Sequence, residues 1–211
     1  NRLALQSQVL GASAEGMDTF LVTKGSATVF GDHPQAADVS DLEPWELLLG
    51  LRTLNSGRDM AGKLLQDDGL LPQLSGGAQI NPWLAGEELR CELGEAERKV
   101  GAGARFLITP PVHDVGRFEQ VIAPFECFGV PIITRVMLVR SLAMALYINE
   151  NVGGDTIPEA TFWRLRLATD RALESMKIAA EITRDLESFC RGVCIYPAGL
   201  ERELPELMSM C

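Results

Sequence analysis

Two kinds of hydrophobic run alternate along the chain. One repeats every three to four residues, as a helix with one buried side does; the other is a short apolar stretch of strand length. The helical pattern opens over residues 2–15 and ends near Gly16, and a strand is expected over 18–24, leading into a loop with Gly25 and Gly31. Ser40 reads as an N-cap with Glu43 three residues on as its capping-box partner, ahead of a helix over 42–54 that places Trp45, Leu48 and Leu49 on one side. A polar loop with Gly57, Gly62 and Gly69 leads to a strand over 74–80. Then follow a helix over 87–100, a strand over 105–109, a helix over 115–128 stopped by Gly129, a strand over 131–138 and a helix over 141–151. Residues 156–158 open another helical stretch, 169–190 read as a long amphipathic helix, and a last strand over 193–196 precedes a short helix near 204–208.

Five strands, each flanked by helix, predict a parallel sheet with helical crossovers. A (β/α)8 barrel needs eight strands, so the pattern fits either an open sheet or five-eighths of a barrel. The segment Gly103-Ala-Arg-Phe-Leu-Ile-Thr-Pro-Pro-Val-His-Asp114 shows the unit most clearly: a small-residue helix end, an apolar strand, then polar residues at the strand's C-terminal end. Parallel α/β folds place their chemistry there. No Ser/Gly linker or low-complexity tract divides the 211 residues, so residues 1–211 read as a single domain.

Composition narrows the function. The net charge of −10 argues against a nucleic-acid binder, although a buried anionic ligand depends on local cations rather than on the total. No apolar run reaches the roughly 18 residues that cross a bilayer, and the first residues form no signal peptide, so a cytoplasmic protein is expected, its chain beginning inside a longer sequence. The five cysteines, Cys91, Cys127, Cys190, Cys194 and Cys211, suit a reduced protein with buried thiols better than a disulfide framework. Only His33 and His113 could join Cys190 and Cys194 in a metal site, and the spacing matches no zinc pattern, so no metal is expected. Gly25 and Gly31 make no phosphate loop, because no Gly-Lys-Ser/Thr follows. His113 beside Asp114 reads either as an acid/base group or as a histidine next to a helix cap, since sequence neighbours rarely face each other. His33, in a Gly-bounded turn, is either a cofactor contact or turn packing.

Several motifs, in order, carry a resemblance. They are Gly31-Asp-His-Pro34, Leu54-Asn-Ser-Gly-Arg-Asp-Met-Ala-Gly-Lys63, Asn81-Pro82, Glu97-Arg-Lys-Val-Gly-Ala-Gly-Ala104, Asn149-Glu-Asn-Val-Gly153 before Ile157-Pro158, and Gly192-Val with Gly199. As a set they resemble methylenetetrahydrofolate reductases over essentially the whole chain. The resemblance implies a (β/α)8 TIM barrel with FAD at the C-terminal ends of the strands. This chain then covers about strands four to eight, a single partial barrel, and the folate-protonating glutamate belongs to the strands before it.

Position by position, Lys24-Gly25 resembles an Arg-Gly beside the flavin, with Ser26 where the family has an Asp near the flavin N1/O2 edge. A neutral hydroxyl would not tune a flavin as a carboxylate does. Arg98 and Lys99 resemble basic residues that contact the FAD phosphates; read without the resemblance, they form a solvated face beside Glu95 and Glu97. Thr109-Pro110 falls where the family has a pterin-binding Thr-Gln, and proline offers no amide. Arg135, in Thr134-Arg135, replaces a glycine of a Pro-Gly pair; it could bind a carboxylate such as a folate glutamate tail, or plug the pocket. Ile80 falls where some members carry a flavin-site Tyr.

The resemblance thus implies a flavoprotein that reduces 5,10-methylenetetrahydrofolate to 5-methyltetrahydrofolate. Its partners would be the folate, a nicotinamide or electron-transfer protein, and further copies or subunits of a complex. The coverage of the resemblance favours this reductase reading; the departures at Ser26, Pro110 and Arg135 leave an alternative, a non-reductase or flavin-free paralogue that binds folate or serves as a complex subunit.

Overall fold

A computed structural model describes residues 1–65 and 71–211. Gly69 of the predicted polar loop lies outside the described residues. The five strands are β1 (Thr19–Val22), β2 (Ser75–Gln79), β3 (Ala104–Pro111), β4 (Ile132–Met137) and β5 (Gly192–Tyr196). They form one sheet in the order β1-β2-β3-β4-β5, with β1 and β5 as its outer strands, so the described sheet is open and not a closed barrel. β1 pairs with β2 and β4 with β5 in parallel. The helices are α1 (Arg2–Ala14), α2 (Pro44–Asn55), α3 (Gly86–Ala102), α4 (Val115–Glu126), α5 (Leu142–Asn151), α6 (Glu159–Leu167), α7 (Arg171–Leu186) and α8 (Leu204–Met210).

The chain groups into two compact units, residues 1–79 with 94–107, and residues 80–93 with 108–211. In the first, α2 lies on β1 and β2. The helix starts later than the sequence suggested. Pro44 forces the residue before it out of the helical region, so Glu43 is extended and becomes the N-cap. The Glu46 carboxylate accepts the Glu43 N–H at 2.8 Å, and the Ser40 hydroxyl donates to Asp38 instead of capping. This start puts Leu48, Leu51 and Leu54 on the buried side and leaves Leu49 exposed, against the expected grouping of Leu48 with Leu49.

β2 reads Ser-Gly-Gly-Ala-Gln because both of its faces are crowded. A Cβ at Gly76 would stand 2.5 Å from a Leu48 methyl, and one at Gly77 2.1 Å from the Phe106 ring. Hydrogen is the only side chain that clears these neighbours as they stand.

In the second unit, β4 alternates fully buried Thr134 and Val136 with half-exposed Ile133, Arg135 and Met137. Phe118, Ile122 and Phe125 of α4 are buried, and α4 packs by α7. Around α5, α6 and α7, Val139, Ala145, Ile148, Ile157, Leu165 and Ile178 form a core with Met137 and Phe162 packed against it. Buried thiols were expected, yet Cys91, Cys127, Cys194 and Cys211 are exposed and Cys190 is half-buried. Among the described residues no helix is long and apolar enough to cross a membrane, and no three metal-ligating side chains gather.

Candidate functional site

The predicted site residues fall in both units. In the first, β1 ends in the exposed loop of Lys24, Gly25 and Ser26, where Lys24 Nζ lies 3.5 Å from Glu43 Oε2. Gly25 adopts φ +74°, a left-handed turn that favours glycine. His33 is exposed, and its carbonyl accepts the Ala36 N–H at 3.0 Å.

Arg98 and Lys99 leave α3 in different directions, as successive helical residues do. Arg98 is exposed and donates to Glu95 at 2.7 Å. Lys99 is 9% exposed and donates to the Gln79 carbonyl at 2.9 Å, at the end of β2. It shares the buried stripe of Ala96 and Ala102, three residues to either side. The two cations therefore do not converge on one point.

In the second unit, the turn after β3 is organised by Asp155, in the loop between α5 and α6 and 5% exposed. Its Oδ2 accepts the backbone N–H groups of His113 and Asp114, each at 2.7 Å, and its Oδ1 accepts from Arg117 at 3.0 Å. Burial pushes this carboxyl above the ordinary aspartate range, and the two N–H donors and the guanidinium oppose that rise. Arg117 also donates to Thr156 Oγ1 at 2.6 Å and lies 5.5 Å over the Trp83 ring.

The Asp114 carboxylate accepts the Arg117 N–H at 3.1 Å and caps α4, so of the two readings of the His113-Asp114 pair the capping one holds for Asp114. His113 is 7% exposed, and burial lowers its pKa to about 4. The imidazole is neutral at physiological pH. It lines a small cavity with Ser175, whose buried hydroxyl has no hydrogen-bond partner among the described residues.

Thr109 and Arg135 are brought together. Thr109 is fully buried and donates its hydroxyl to the Pro110 carbonyl at 2.8 Å, while its oxygen faces the Arg135 N–H at 3.4 Å. Arg135 is in register with Cys194 of β5, and Cys194 and Tyr196 are exposed. Among the described residues the Arg135 guanidinium makes no hydrogen bond or ion pair. Ile80 is buried, with its N–H on the Ile108 carbonyl at 2.9 Å.

Sequence reasoning missed Asp155, Arg117 and Trp83. It did single out Asn149, whose side-chain amide brackets Ile157: its Oδ1 accepts the Ile157 N–H at 2.8 Å and its Nδ2 donates to the Ile157 carbonyl at 3.1 Å.

No family model matches the chain, and no curated protein matches it. Among solved structures, the chain is similar to an uncharacterized protein from Clostridium thermocellum described as binding two copies of 5-methyl-5,6,7,8-tetrahydrofolic acid. The identity is 15%, with 99% of this chain and 87% of that one covered, and the TM-score is 0.47. A likeness of this degree carries no functional argument.

Proposed function

We propose that the chain is a folate-binding module related to the methylenetetrahydrofolate reductases and without flavin-dependent reduction of its own. The observation that carries this is Arg135. It is a half-buried cation without a side-chain partner among the described residues, on the strand beside Thr109. A half-buried charge calls for a counter-ion, and a guanidinium fork matches a carboxylate. With the motif resemblance, that carboxylate is read as one from a folate glutamate tail. The cations that the resemblance assigns to flavin are already engaged: Arg98 on Glu95, Lys24 near Glu43 and Lys99 on the Gln79 carbonyl.

The test is calorimetric titration of the native protein with mono- and triglutamyl 5-methyltetrahydrofolate, alongside absorption spectra with excess FAD. Expected are folate binding that tightens with the longer tail, a loss of about tenfold in Arg135→Gln, and no bound flavin. Because Cys194 is exposed beside Arg135, bound folate should also slow maleimide labelling of Cys194 while sparing Cys91 and Cys127. Stoichiometric FAD would restore the reductase reading, and the absence of any folate binding would remove both.

A further inference from the structure

In the second unit, residues of α5 and α6 line a surface groove of about 440 Å³. This volume lies within the ordinary range of small-molecule sites, about 300–1,000 Å³. Its lining includes Ile157 of the core, held by the Asn149 bracket, and Leu142 and Phe162, which pack against that core. Leu146, 51% exposed, and Trp163, 50% exposed, also line it.

Large apolar side chains are left in water here, and they are also held in place. Trp163 Nε1 donates to Glu159 Oε1 at 3.3 Å, and the Arg166 guanidinium stacks 5.3 Å from the ring centre. An oriented indole with a cation over it is a platform for a flat ring bearing a negative group. The charges on α6 point the same way. Arg164 is taken up by Glu174 and Glu181, and the Glu159 carboxylate on the groove's lining accepts the Trp163 indole N–H, whereas Arg166 forms no ion pair among the described residues.

We infer that this groove binds a planar aromatic carboxylate, with the ring between Leu146 and Trp163 and the carboxylate on Arg166. The inference stands apart from the folate reading, because it uses no residue of the Arg135 site.

The probe is naphthalene-2-carboxylate, with the uncharged 2-naphthalenemethanol as its counterpart. Binding is followed by Trp fluorescence quenching, and the groove is located by chemical-shift changes of the Trp163 indole N–H. The carboxylate should bind at least about tenfold more tightly than the alcohol. Arg166→Gln should remove that preference without weakening the alcohol, and Leu146→Glu should abolish carboxylate binding. Both substitutions are at exposed positions and leave the core intact. Equal affinity for acid and alcohol, or unshifted Trp163 signals, would overturn the inference. So would sedimentation showing that a second copy of the chain occupies the groove and excludes the probe.

Discussion

Removing the Asp155 carboxylate should unfold the turn after β3 before anything else. In Asp155→Ala the N–H groups of His113 and Asp114 lose their shared acceptor, and Arg117 loses its buried counter-ion. A buried donor left without a partner costs about 1–3 kcal/mol. The Arg117 pair adds less, about 1 kcal/mol, because the Arg117 side chain is 48% exposed and solvent replaces part of it. With two donors, the sum is about 3–7 kcal/mol, equivalent to a fall in melting temperature of about 10–20 °C for a chain of this size. Asp155→Asn separates the terms. Its carbonyl oxygen can turn to the two N–H groups, which leaves an NH2 donor against the Arg117 guanidinium, so it should cost less than alanine, about 1–3 kcal/mol. Urea unfolding gives the free energies. Hydrogen exchange gives the location, since the His113 and Asp114 amides should lose protection in Asp155→Ala first. A loss under 1 kcal/mol, or unchanged exchange at those two amides, would refute the argument that this carboxylate holds the turn.

Two further outcomes follow from burial and packing. Because the folded His113 pKa lies near 4 and the unfolded value near 6.5, the unfolded chain binds the proton first, so stability is full above about pH 6.5 and falls as pH drops toward 4. The loss attributable to this one group is about 3 kcal/mol. The raised pKa of Asp155 acts in the opposite sense as pH falls, so the clean measurement is the difference in urea unfolding between the parent and His113→Leu, which should shrink from pH 7.5 to pH 4.5. Gly77→Ala should destabilise by about 1–3 kcal/mol, because the new methyl meets the Phe106 ring, and a double-mutant cycle with Phe106→Leu should recover most of that loss.

Most elements were legible because their signals are local. Apart from the glycine-rich β2, the strand positions follow from short apolar runs, and Ser141, Asp114 and Asp170 cap their helices through their own side chains. The capping box before α2 was misplaced because two acids stand near Pro44, and only the proline's constraint on Glu43 selects the right one. The inward course of Lys99 was legible in principle, from its spacing with Ala96 and Ala102, but nearby Glu95 and Glu97 masked the stripe. Asp155 was not legible. It is a lone acid after two glycines, and its partners are backbone N–H groups 42 and 41 residues earlier, which carry no residue-type signal.

The same distinction separates the cations that matter from those that do not. Acids outnumber bases 29 to 19, so an arginine in this chain has carboxylates to spare, and Arg164 takes two of them. Exposed Arg105 needs none, since water solvates it and a surface pair contributes little; Arg166, also exposed, is set apart by its stacking on the Trp163 ring. Arg135 belongs to neither group. It is half-buried on β4 between strands that offer no carboxylate, and desolvating a charge without a partner is unfavourable. That imbalance is relieved by a bound anion or by replacing the charge. Arg135→Met should therefore stabilise the ligand-free protein by about 1 kcal/mol in urea unfolding while weakening folate binding. If Arg135→Met instead destabilised the ligand-free chain, the guanidinium would already be satisfied within the fold, and its claim to a ligand carboxylate would fall.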